Sequence, residues 1–74
     1  MKEIYAELSK STLRLIEEGK VTIPILSGVH CFRKKGSRTC YISIDEDLSE
    51  EDQKSLLVEM TDNLDSLGIN WQDM

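Results

Sequence analysis

"VHCFRKKGSRTCYISI", residues 29–44, sets β-branched, aromatic and cysteine side chains on both sides of a central Lys35-Gly36 pair. Two such runs around a short glycine-containing turn predict a β-hairpin. If Lys35-Gly36 is a two-residue loop, paired residue numbers sum to 71, so Val29 faces Ile42 and Cys31 faces Cys40. Strand side chains alternate between faces. One face then carries Val29, Cys31, Cys40, Ile42 and Ile44, and the other carries His30, Phe32, Thr39 and Tyr41.

Upstream, "VTIPIL" (21–26) reads as a further strand. A one-residue slip would send its side chains to the wrong side. A three-residue Leu26–Gly28 loop keeps Val21, Ile23 and Ile25 on the apolar face. Pro24 has no amide hydrogen to give a neighbour, which suits an edge strand.

Helical patterns flank these strands. In "IYAELSKSTLRLIEEG" (4–19), Ile4, Leu8, Thr12, Leu15 and Ile16 recur at spacings of three and four, which predicts a helix over about 3–18 ending at Gly19. Ser9 and Ser11 weaken its middle and leave an extended start with a shorter helix as the alternative. In "SEEDQKSLLVEMTDNLDSLGI" (49–69), Ser49 followed by Asp52 resembles a capping box, and the acids of the first turn suit the helix dipole. Leu57, Met60, Leu64 and Leu67 form its apolar stripe, and Gly68 with Ile69 fits a Schellman stop.

The expected fold is therefore α+β: one domain over 1–74, ordered α-β-β-β-α. Its helices cover about 3–18 and 50–67, its strands about 21–25, 29–34 and 37–44, and a short tail 69–74 follows. Both helices would pack on one face of a three-stranded antiparallel meander. A chain of 74 residues buries only about 60% of the surface its unfolded form exposes, so a partner that covers apolar surface would stabilise it.

The open face of such a sheet would carry His30, Phe32 and Tyr41, an aromatic patch that a monomer gains nothing by leaving wet. It is the first candidate for a protein-binding surface, a second copy of the chain included. The tail "INWQDM" with Trp71 is an alternative cover. Net charge is −5, unevenly divided: residues 1–41 hold eight Lys/Arg against four Glu, and residues 42–74 hold one Lys against ten Asp/Glu. The acidic second helix, with Glu59 and Asp62, is a second candidate docking face.

Arg33, Lys34, Lys35 and Arg38 at the hairpin tip, beside Phe32 and Tyr41, carry the alternative of a nucleic-acid interface, with cations on phosphates and rings under bases. Arg33 facing Arg38 would repel. In this register Cys31 and Cys40 are directly opposed and both point at the core. The pair reads as buried thiols, with a disulfide or thiol redox switch as the lesser alternative.

No cofactor and no metal site is expected. His30 lies on the face opposite the cysteines, and no second pair of closely spaced cysteines completes a zinc knuckle. The absence of a phosphate loop, and of carboxylates converging on a cleft, points away from an enzyme. "MKEIYAEL" breaks the apolar core a signal peptide needs, and nothing approaches the roughly 20 apolar residues of a membrane span. The expectation is a small, acidic, cytoplasmic regulatory protein, of inhibitor, antitoxin or adaptor type, that occupies a protein partner and has no membrane partner.

Overall fold

The computed structural model describes residues 3–73. Along the chain run β1 (Glu3–Glu7), α1 (Lys10–Glu17), β2 (Val29–Phe32), β3 (Thr39–Ile44), α2 (Glu50–Ser66) and β4 (Asn70–Asp73). The strands form one four-stranded sheet in the order β2-β3-β1-β4, with every neighbouring pair antiparallel. The fold is α+β as expected. Its order is β-α-β-β-α-β, two interleaved split β-α-β units, and not a three-stranded meander between helices.

The largest correction lies at residues 3–18, which are a strand followed by a short helix rather than one long helix. Ile4, Ala6 and Leu8 share the even parity of a strand, and all three are fully buried, while Glu3 and Glu7 point to water. The spacing of four between Ile4 and Leu8 fits a helix and a strand equally well. Ser9 decides between them: its backbone is extended and its hydroxyl accepts a hydrogen bond from the Thr12 amide at 3.1 Å, which starts α1 there.

Strand β1 lies between β3 and β4. Tyr5 pairs with Tyr41 on one side and with Gln72 on the other, and Ala6 pairs with Cys40 and Trp71. The expected tail 69–74 is thus in large part β4. Trp71 stands opposite Ala6 and packs against the core, its indole N–H donating to an Asp65 carboxylate oxygen at 2.9 Å, so it does not cover the open face.

The expected strand at 21–25 is absent, and residues 21–26 carry no regular secondary structure. In the expected meander this segment would have paired with β2, whose outer edge pairs with no described strand, but Pro24 brings no amide to a ladder there. Ile23 and Leu26 still pack against the core from this extended connection.

The hairpin register also differs. Val29 pairs with Ile44 and Cys31 with Ile42, a shift of two residues from the expected pairing. A shift of two preserves parity, so Val29, Cys40, Ile42 and Ile44 are buried as read from the sequence. The expected strands 29–34 and 37–44 shorten to 29–32 and 39–44. A two-residue type I′ loop would force Lys35 as well as Gly36 to positive φ. The longer connection needs it only at Gly36, at φ 81°, and closes with Ser37 N–H donating to the Lys34 carbonyl at 2.9 Å.

Helix α2 matches its sequence signals. Ser49 accepts from the Asp52 amide at 3.1 Å, and Ile69 N–H returns to the Leu64 carbonyl at 2.9 Å. Met60 and Leu64 join Ile4, Ala6, Leu8, Ile42 and Ile44 in the buried cluster, against which Leu13, Ile16, Leu56 and Leu57 also pack. Leu67 belongs to the exposed residues instead of the stripe.

Gly28 tests this packing. Its φ is 89°, and a β-carbon there would stand 3.0 Å from Leu48 Cδ1 and 3.1 Å from Leu56 Cδ1, whereas one at Gly36 would meet nothing within 4 Å. Left-handed backbone alone costs a non-glycine residue about 1–2 kcal/mol. Gly36→Ala should therefore lose about 1–2 kcal/mol in urea denaturation, and Gly28→Ala should lose more, about 2–4 kcal/mol, through added overpacking. Equal losses would show that the Gly28 turn is not seated against Leu48 and Leu56.

Candidate docking surface

The alternation that buries Ile4, Ala6, Cys40 and Ile42 turns Tyr5, Phe32 and Tyr41 outward. Cross-strand pairing aligns them in one row, Phe32 beside Tyr41 and Tyr41 beside Tyr5, continued by Gln72. Phe32 is 66% exposed and Tyr41 47%. Tyr5 is more enclosed, and its hydroxyl donates to Gln72 Oε1 at 2.6 Å.

Two shallow depressions border the row. One, of about 350 Å³, lies among Glu3, His30, Phe32, Tyr41 and Ser43, with Cys31 and Ile42 also at its wall. The other, of about 220 Å³, lies among Tyr5, Glu7, Asn70, Trp71 and Gln72. Glu7 accepts from the Thr39 hydroxyl at 3.0 Å, so the carboxylates of this face stand beside the rings.

The structure thus brings His30, Phe32 and Tyr41 together and adds Tyr5. The sequence reading missed Tyr5 by placing it in a helix, although the alternation of Glu3, Ile4, Tyr5, Ala6 and Glu7 is the signal that finds it. Glu59 and Asp62 do not join the surface. They are exposed on α2, whose Met60 and Leu64 are buried against the opposite side of the sheet.

The tip cations separate as well. Arg33 does not face Arg38: its guanidinium donates to the Ser37 carbonyl at 3.1 Å and closes the turn. Arg38 donates through Nε to the Leu8 carbonyl at 2.8 Å, while Leu8 N–H donates to the Arg38 carbonyl at 2.7 Å, pinning the end of β1. Lys34 and Lys35 are exposed at the tip.

Neither cysteine is in a disulfide, and only Cys40 is buried. The shifted register places Cys31 opposite Ile42, one step diagonal from Cys40, on the uncovered part of edge strand β2. Interaction with the neighbouring Cys40 thiol, opposed by burial and assisted by the Arg33 guanidinium, lowers the Cys31 pKa from 9.0 to about 7. The neighbouring Cys31 sulfur, together with burial, holds Cys40 protonated.

Among the described residues, no group of three or more His, Cys, Asp or Glu side chains converges to hold a metal ion. No helix among them is long and apolar enough to cross a membrane. Comparison of the chain with protein-family models, with curated proteins and with solved structures finds no match.

Because the thiolate is the nucleophile, alkylation of Cys31 by iodoacetamide should accelerate as pH rises, with a midpoint near 7 rather than near the ordinary 9.0. Cys40 should stay unlabelled in the folded protein. A midpoint near 9 measured by peptide mapping would contradict the lowered Cys31 pKa.

Proposed function

We propose that this chain is a non-enzymatic binding protein that docks a protein partner on its open sheet face and acts by occupying that partner, in the manner of an inhibitor, antitoxin or adaptor. The observation that carries this reading is the exposed row Phe32–Tyr41–Tyr5 on a sheet whose other face holds the core. Aromatic side chains contribute much of the energy of protein interfaces, since they bury large areas and lose few rotamers. Glu3 and Glu7 beside the rings, with His30 at one end, supply the polar rim that fixes orientation. A second copy of the chain is one form such a partner can take.

The row also favours a second reading, a single-stranded nucleic acid stacked on Tyr5, Tyr41 and Phe32 with Lys34 and Lys35 on phosphates. Charge weighs against it. Arg33 and Arg38 are engaged within the fold, Glu3 and Glu7 share the face, and the net charge is −5.

Affinity capture with the wild-type chain, with Phe32→Ala/Tyr41→Ala and with Glu59→Lys/Asp62→Lys tests the first reading. Both aromatic side chains are largely exposed, so the double variant should fold normally and lose partner affinity by about 30-fold or more, the equivalent of about 2 kcal/mol at an interface anchor. Capture unaffected by the aromatic substitutions but abolished by the charge reversals would move the site to α2. For the second reading, a labelled oligonucleotide should bind more tightly as salt falls and should lose binding in Lys34→Glu/Lys35→Glu. No binding at low salt would remove it.

A further inference from the structure

The cysteine pair lies outside the docking row. Parity puts Cys31 and Cys40 on the same side of the sheet, away from Phe32 and Tyr41, and the register puts them on adjacent strands one diagonal step apart. One sulfur is exposed and the other is buried. Arg33, held by the Ser37 carbonyl, directs positive charge at both. We propose that Cys31 and Cys40 form a reversible dithiol/disulfide pair, oxidised by a small disulfide of the glutathione class, with Cys31 as the attacking thiol and Cys40 as the resolving one.

The division of labour follows from access. Only Cys31 can meet a molecule arriving from solvent. Its thiolate attacks one sulfur of the oxidant, whose S–S bond breaks, and the first thiolate leaves and takes up a proton. Cys31 is then in a mixed disulfide and no longer carries the negative charge that helps keep Cys40 protonated. The Cys40 thiol next gives its proton to solvent, and its sulfur attacks the Cys31 sulfur and expels the second thiolate. Two protein thiols have become one disulfide, and one small disulfide has become two thiols.

The diagonal placement accounts for reversibility. Residues directly opposed at a non-hydrogen-bonded position lie about 4.5 Å apart at Cα, diagonal ones about 7–8 Å, and disulfides span about 4.4–6.8 Å. Closing the bridge therefore draws edge strand β2 along β3. A bridge under such tension is readily reduced again.

The test follows the reduced wild-type protein with oxidised glutathione at pH 7 by intact mass, with samples quenched in iodoacetamide and denaturing urea, so that a buried free thiol is also labelled, and mapped by peptide. The expected course is a transient adduct of one glutathionyl group, then a monomer lighter by two hydrogens whose Cys31 and Cys40 both resist alkylation, with full return on adding dithiothreitol. Cys40→Ala should stop at the adduct, and Cys31→Ala should not react. Because Cys40 is buried, the wild-type mapping stands independently of whether that variant folds. A wild-type protein that stays unmodified, stalls at the adduct or cross-links into dimers would overturn the proposal.

Discussion

Everything in this small sheet depends on β1 sitting between β3 and β4. Ile4, Ala6 and Leu8 supply three fully buried side chains at alternate positions, and the strand's two edges satisfy the backbone of both neighbours. Without it, β3 would have a free edge, β4 would have no partner and Trp71 would lose its seat opposite Ala6. The Arg38 side chain and backbone, both bonded to Leu8, fasten the end of this central strand at the point where Ser9 turns the chain into α1.

The same strand completes the outward face. Tyr5 extends the Phe32–Tyr41 pair into a row of three rings crossing three strands, flanked by carboxylates and by a histidine. Placement of the polar groups separates the surfaces that charge alone would merge. Two of the four tip cations are used to close the turn and pin β1, and the acids of α2 lie on the far side of the core. A face of rings with few free cations suits a protein surface better than a polyanion.

How much of this was legible in the sequence varied with the strength of local signals. Helix α2 was read almost to the residue because a cap, a stripe and a stop agree. The inward and outward sides of the hairpin were also correct, since parity survives a shift of two, although the pairing itself was set by the cost of positive φ at Lys35, which the hydrophobic pattern does not encode. The first strand was lost because a spacing of four fits both periods, and Tyr5 was lost with it. Strand β4 was hidden for another reason: "NWQD" has little strand character of its own and is strand only because β1 offers an edge.

The most direct test of this account is a nuclear Overhauser measurement between the backbones of Tyr5 and Tyr41. Leu8 N–H bonds to the Arg38 carbonyl, so the alternation of an antiparallel ladder makes Tyr5 and Tyr41 a non-hydrogen-bonded pair, with Cα atoms about 4.5 Å apart. A strong Hα–Hα cross-peak between them is the predicted result. Its absence, with helical contacts running instead from Ile4 to Leu8, would remove the central strand and the aromatic row built on it.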